Sequence, residues 1–190
     1  MAIGPKLPRP SSTLPQESFG KLKCYAASTN PRRFSVPLTI RAPSLDELSG
    51  LSDLCFRSKA VWGYDDKFME ACRGELSFEP RDLELTPIAV AELNGKSIGV
   101  AQIRVVDGEA DLLKLFVEPK AFRSGTGRAL LAWATDVAKK LGATRLTIDA
   151  DPDAAPFYRR MGACDVGQAP SGSIPGRMLP KLVMNLRPAD

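Results

Sequence analysis

The sequence contains no histidine, few cysteines and no long apolar run, and each shortage narrows what the protein can be. Without histidine, the most common general base and the most common metal ligand of proteins are missing. The aspartates and glutamates show no metal-ligand spacing, so we expect no metal site. No apolar run approaches the ~20 residues that a membrane-spanning helix requires, and we therefore expect a soluble protein that does not act at a membrane.

The four cysteines are scattered and include no Cys-x-x-Cys pair. Their spacing indicates no disulfide framework, which is typical of proteins that stay reduced inside the cell. We therefore expect a cytoplasmic protein, unless the beginning of the chain directs it to an organelle.

Residues 1–35 differ in composition from the rest of the chain. They are rich in proline, serine and threonine, and they hold six basic residues but one acidic residue. Such a segment buries too little apolar surface to offset its chain entropy, so it is predicted to be disordered. Its composition fits a plastid or mitochondrial transit peptide as well as a plain extension, and both interpretations stay open.

The domain predicted over residues 36–190 is close to electrically neutral, with 20 basic and 21 acidic residues. A neutral domain has no electrostatic footprint for nucleic acid. Small amines and protein tails remain open as partners.

The patterning of this domain predicts strands and helices in alternation. A first strand, Pro37–Arg41, is followed by a capping box at Ser44 and Glu47 and by helices up to residue 73. Three strands follow at 88–93, 98–105 and 111–117, joined by the hairpin signals Asn94-Gly95 and Asp107-Gly108. The predicted elements that complete the domain are a helix at 127–141, a strand at 145–149, a short helix at 154–161, and closing strands at 164–167 and 182–186.

The segment that indicates a binding site lies between the third of these strands and the long helix predicted at 127–141. A helix N-terminus presents free N–H groups and a partial positive charge, which together hold a pyrophosphate. Gly125 and Gly127 allow the backbone to come close, because no Cβ blocks the approach. Arg123 and Arg128 add positive charge.

Three other interpretations of this loop compete with a pyrophosphate site. A Walker A loop requires Gly-Lys-Ser/Thr, and Arg128 follows Gly127 here, so it is excluded. A dinucleotide fingerprint requires a small residue where Leu130 stands, although Asp149 lies about where a ribose-binding acid would. A plain strand–helix turn with two glycines remains the simplest alternative.

The residues from Leu112 to Gly167 resemble the acetyl-CoA-binding core of the GNAT acetyltransferases. The family's L-x-x-L-x-V-x-P strand matches at Leu112, Leu115, Val117 and Pro119, and its Gly-x-Gly loop matches at Gly125 and Gly127. Its N-x-x-A-x-x-F-Y-x-x-x-G segment matches from Asp151, which replaces the Asn, to Gly162. The resemblance implies an α/β (α+β) GNAT fold with a mixed, mostly antiparallel sheet of six or seven strands and about four helices.

The resemblance also implies a site for acetyl-CoA as co-substrate. The implied contacts are Phe116, Val117, Arg123, Ser124, Gly125, Thr126, Gly127, Arg128 and Asp151. Tyr158 matches the general acid that protonates the leaving thiolate, with core packing as the alternative role. The chain would then be an N-acetyltransferase acting by direct attack of a primary amine, or else a non-catalytic acyl-CoA-binding module.

The general base and the acceptor contacts are less defined. Some family members carry a strand glutamate where Leu113 stands, so Asp111 and Glu92 are the candidates for a base. Acceptor contacts are expected from Trp62, Tyr64 and Arg177, whose guanidinium is suited to an anionic group. For all of these, ordinary structural roles stay open, as does a homodimer.

Overall fold

Six helices flank the sheet within residues 37–186, the part of the chain that the computed structural model describes. They are α1 (Leu48–Ala60), α2 (Asp66–Ala71), α3 (Arg73–Leu76), α4 (Asp82–Leu85), α5 (Thr126–Lys140) and α6 (Ala155–Arg160). About four were predicted, and the two additional helices are α3 and α4, which at four residues each are too short for an apolar period to be recognised. The predictions for residues 1–35 lie outside the described residues.

A hairpin meander forms the first half of the sheet. Its strands are β1 (Thr39–Arg41), β2 (Ile88–Leu93), β3 (Lys96–Val106) and β4 (Glu109–Val117), each antiparallel to the next. The two predicted hairpin turns are present, and Asn94, Gly95, Asp107 and Gly108 all have the positive φ of a type I′ turn.

The second half of the sheet begins with a crossover. Helix α5 leads from β4 to β5 (Arg145–Asp149), which is parallel to β4. Strand β7 (Met178–Asn185) pairs with β5, and β6 (Cys164–Pro170) pairs with β7 at the edge. The order β1-β2-β3-β4-β5-β7-β6 among the described residues confirms the predicted mixed, mostly antiparallel sheet.

Each face of the sheet is covered by a separate apolar cluster. On one face, Leu130, Ala134 and Ala138 of α5 are fully buried, at the four-residue spacing of a helix stripe. On the other face, Leu51 and Leu54 of α1 are as deeply buried. Fully burying one such leucine contributes about 2 kcal/mol. None of the described helices is long and apolar enough to cross a membrane.

The feature of the fold that creates a site is the separation of β4 from β5. These strands pair only where Glu109–Asp111 lies beside Arg145–Thr147. Strand β4 is irregular just beyond, because Leu112 lies opposite Ile103 and Lys114 opposite Gln102, so Leu113 is an extra residue. Since β4 stays with β3 and β5 stays with β7, a cleft opens between them along residues 112–117.

Candidate active site

The cleft between β4 and β5 contains a cavity of about 1570 Å³. Its walls are the edge of β4 from Leu112 to Val117, the loop 120–125, and residues of α5 and α6. The far end is lined by the C-terminal end of α1 together with Ser171 and Arg177. A cavity of this size and length accommodates an extended ligand larger than a typical drug molecule.

The loop before α5 holds its amide groups free at the helix N-terminus. Gly125 is the N-cap and has φ +91°, a conformation that side chains with a Cβ rarely adopt. The first hydrogen bond at this helix end joins the Ala129 amide to the Gly125 carbonyl, 3.0 Å apart. The amides of Thr126, Gly127 and Arg128 therefore precede the helical hydrogen bonds and are available to an anion.

Two further contacts fix the shape of this loop. The Ser124 hydroxyl donates to the Ala121 carbonyl at 2.7 Å and lies 2.7 Å from the Thr126 hydroxyl. A Cβ on Gly127 would lie 3.4 Å from Cζ of Phe157, so the missing side chain lets α5 approach α6 closely. Among the predicted cofactor residues, Thr126 is buried and stays behind the cavity wall, whereas Arg123 and Arg128 line the cavity.

Tyr158 lies on α6 and lines the same cavity, with 6% of its surface exposed. Its ring meets Phe157 edge-on, with ring centroids 5.0 Å apart. The Tyr158 hydroxyl has no hydrogen-bond partner within residues 37–186. Because every fully buried polar side-chain atom in this range does have a partner, the hydroxyl is not fully buried and opens onto the cavity. Burial raises the pKa of Tyr158 above its ordinary value, so the phenol stays protonated at neutral pH.

Three of the predicted residues meet at the far end of the cavity. Tyr64 donates its hydroxyl proton to the Asp151 carboxylate, with Oη 2.9 Å from Oδ2. Arg177 Nη2 lies 2.6 Å from Tyr64 Oη and 3.2 Å from Asp151 Oδ2. Asp151 was expected to contact the cofactor. Its carboxylate instead accepts hydrogen bonds from Tyr64 and Arg177, which were expected to contact the acceptor. Trp62 lines the same end and is 41% exposed.

Two charged residues that the sequence did not single out join this cluster. Lys59 Nζ lies 3.5 Å from Asp151 Oδ2 and 4.0 Å from Glu75 Oε1. Glu75 also accepts a hydrogen bond from Ser173, which belongs to the loop between β6 and β7. No local pattern identifies Lys59 and Glu75, because they become part of a site only when residues 171–177 fold over them.

The structure does not bring either candidate base to the cleft. Asp111 lies where β4 and β5 are still paired, and its carboxylate contacts Arg104 at 2.6 Å. Glu92 lies 2.7 Å from the Arg41 guanidinium near the opposite edge of the sheet. Neither lines the cavity, whereas Leu113 does.

Solved structures of acetyltransferases share this architecture. PaiA N-acetyltransferase of Thermoplasma acidophilum, solved with coenzyme A, has a TM-score of 0.64 and 18% identity, with 78% of this chain and 98% of that one covered. The ribosomal-protein-S18-alanine N-acetyltransferase of Escherichia coli has a TM-score of 0.58 and 22% identity, with 80% and 96% covered. YncA of Salmonella typhimurium, solved with acetyl-CoA, has a TM-score of 0.58 and 21% identity, with 80% and 96% covered.

At these identities the similarity shows a common fold, the GNAT fold. In sequence, residues 84–162 match the family model described as the acetyltransferase (GNAT) domain. This range runs from α4 to the end of α6 and includes the separated strand, the glycine loop and Tyr158. Residues 84–162 are therefore identified as an acetyltransferase (GNAT) domain match within a chain that has the GNAT fold. No curated protein matches it in sequence.

Proposed function

We propose that the protein is an acetyl-CoA-dependent N-acetyltransferase that acts on a primary amine of a small molecule. The observation that carries this proposal is the meeting of three features in one cleft. These are the unpaired edge of β4, the amide-rich start of α5 and the Tyr158 hydroxyl. A small acceptor is favoured over a protein because residues 171–177 cover the far end, where Ser173 contacts Glu75.

The cleft suits coenzyme A along its whole length. The backbone of Phe116 and Val117 lies on the open edge of β4, where it can hydrogen-bond the amide groups of a pantetheine arm. The amides of Gly125 to Arg128, with the partial positive charge of the α5 N-terminus, suit the pyrophosphate, whereas the Ser124 amide already donates to the Ala121 carbonyl. Acetyl-CoA, when bound, supplies the acetyl group as a thioester.

In this proposal Tyr158 is the general acid. Its hydroxyl would give a proton to the leaving sulfur, and the proton that the attacking nitrogen loses would return to the phenolate, so that the amide, the free thiol and the neutral tyrosine balance the reaction. Burial raises the pKa of Tyr158, which keeps the proton in place before reaction. Burial near Tyr158 also raises the pKa of the leaving thiol. Because the pKa of the acid and that of the thiol rise together, burial alone does not make proton transfer from Tyr158 to the sulfur unfavourable.

A thiol-release assay with acetyl-CoA over a panel of primary amines tests the proposal. We expect coenzyme A to appear at a rate that depends on the amine, together with one equivalent of N-acetylated product. Calorimetric titration with acetyl-CoA serves as the parallel measurement. Binding without amine-dependent release across the panel would support the acyl-CoA-binding module instead.

A further inference from the structure

Lys59 carries an ammonium group that is buried at the far end of the cleft. Its side chain is 9% exposed, although it belongs to the last turn of α1. Its two carboxylate contacts, at 3.5 and 4.0 Å, are longer than the about 2.7–3.2 Å of a hydrogen bond. Within residues 37–186, Lys59 thus has ion-pair contacts but no hydrogen bond for its three N–H donors.

Arg177 also has N–H donors without a hydrogen-bond partner among the described residues. Its Nη2 group serves Tyr64 and Asp151, while its guanidinium carbon lies 5.0 Å and 4.8 Å from the centroids of the Tyr64 and Phe68 rings. The Nε and Nη1 groups have no hydrogen bond to the described part of the chain. Since no fully buried polar atom there lacks a partner, the free donors of Lys59 and Arg177 open onto the cavity.

The charges around these donors balance, because the two cations Lys59 and Arg177 face the two carboxylates of Asp151 and Glu75. Lys59 and Arg177 both contact the same oxygen, Asp151 Oδ2, which also accepts from Tyr64. Tyr64 adds no negative charge, because burial and the neighbouring carboxylate raise its pKa to about 12. Glu75 stands 4.0 Å from Lys59 and is engaged by Ser173. N–H donors of two cationic side chains that face the cavity without a protein acceptor can be completed by the carboxylate of a ligand.

We infer that Lys59 and Arg177 form a carboxylate subsite, and that the acceptor is an amine that also carries a carboxylate, as an amino acid does. This inference rests on the proposed function and names its substrate class. The carboxylates of Asp151 and Glu75 cancel the charges of Lys59 and Arg177, so the subsite offers N–H donors without net positive charge, and the two carboxylates repel a doubly charged phosphate more than a monoanion. The pyrophosphate site at α5 is formed by other residues and on another part of the cavity wall.

Matched acceptors that differ only in the carboxylate provide the test. The pairs are 4-aminobutyrate with propylamine and phenylalanine with phenethylamine, each assayed for release of coenzyme A. We expect the carboxylate member of at least one pair to have a kcat/KM at least about tenfold higher, as one charged hydrogen bond can supply. Lys59→Gln and Arg177→Gln are each expected to remove most of that preference and to leave acetyl-CoA affinity unchanged.

The control variant is Arg73→Gln, which removes an exposed arginine of α3 paired with Glu70, outside the cavity. It should keep the preference. Arg177→Lys, which retains charge but not the planar fork, should lose part of it and serves if Arg177→Gln does not fold. Equal use of both members of every pair, or a loss of acetyl-CoA affinity in the variants, overturns the inference alone. Absence of transfer to all acceptors while acetyl-CoA binds contradicts the proposed function and the inference with it.

Discussion

Tyr158 is the residue whose replacement separates catalysis from binding. Its hydroxyl opens onto the cavity and has no recorded hydrogen bond within residues 37–186, so Tyr158→Phe leaves no protein group without a partner. General acid catalysis contributes ~10²–10⁴ in rate, and we expect turnover to fall by at least tenfold. Acetyl-CoA affinity and melting temperature should stay nearly unchanged, because the hydroxyl acts only as the thiolate leaves.

Steady-state kinetics with an active amine, a calorimetric titration and a thermal melt check this together. The raised pKa of Tyr158 adds a second expectation, namely that activity does not decline through ionisation of this phenol below about pH 10. Unchanged turnover in Tyr158→Phe would mean that the ring serves packing alone. A large fall in melting temperature would contradict the placement of the hydroxyl on the cavity.

Gly125 is the residue on which the shape of the cofactor loop depends. Its φ of +91° strains any residue with a Cβ, and a side chain there would also keep a phosphate away from the amides. We expect Gly125→Val to abolish measurable acetyl-CoA binding in a calorimetric titration while circular dichroism still reports a folded domain. Gly172→Val is the matched control, because a Cβ at Gly172 meets no atom within 4 Å. Unchanged affinity in Gly125→Val would show that the pyrophosphate lies elsewhere.

Single residues differ in how far their roles could be predicted. Gly125 and Tyr158 belong to local patterns in which spacing and residue type carry the information, and the structure places both at the cleft. Asp111 and Glu92 were chosen by residue type and strand position, which say nothing about the arginines that hold their carboxylates. Lys59 was missed because its ion-pair partners, Glu75 and Asp151, come from other elements later in the chain, and no local pattern brings them together.

At the scale of elements, β1 is a three-residue strand at the sheet edge that relies on an ion-pair network. Arg41 donates to Glu47 through two nitrogens, each at 2.7 Å, and to Glu92 at 2.7 Å. These hydrogen bonds lower the pKa of Glu47 to about 2 from 4.5. Because the folded-state pKa is the lower one, the stabilisation is complete above about pH 4.5 and is lost as the pH falls towards 2.

We therefore expect Glu47→Gln to reduce the free energy of unfolding at pH 7 by about 1 kcal/mol, since the network is partly exposed and screened. The difference from the unchanged protein should shrink when thermal melts are repeated near pH 3. Glu109→Gln breaks a more exposed pair with Arg145 and should matter less. A Glu47→Gln effect that is the same at both pH values would mean that its charge is not what stabilises β1.

The elements themselves were predictable where local chemistry decides them. Both hairpin turns and the long helix α5 follow from Asn-Gly, Asp-Gly and a regular apolar stripe, and each lies within a residue or two of its expected place. The lengths of β6 and β7 were underestimated, because Met178–Lys181 shows no strand alternation and extends only by pairing with neighbours. The separation of β4 from β5 depends on which strands pair, which no local pattern encodes.

At the scale of the whole molecule, one cleft is assembled from both ends of the domain. The cofactor loop comes from the middle of the chain, while the carboxylate subsite combines α1 with the loop before β7. The two sides meet across the end of β5, where Asp151 follows the strand. Specificity for an acceptor can therefore change through α1 and residues 171–177 without altering the loop that suits coenzyme A.

Residues 1–35 provide the last test, because they were predicted to lie outside the folded domain. The apolar clusters of the described residues reach from Leu38 to Leu186, and β1 begins at Thr39. We expect deletion of residues 1–35 to leave the melting temperature and the acetyl-CoA affinity unchanged. Deletion of residues 1–42 is the matched control, since it also removes Ile40 from the core and Arg41 from its ion pairs, and it should lower the melting temperature by several degrees. A comparable loss from the shorter deletion would show that the first 35 residues contribute to the domain.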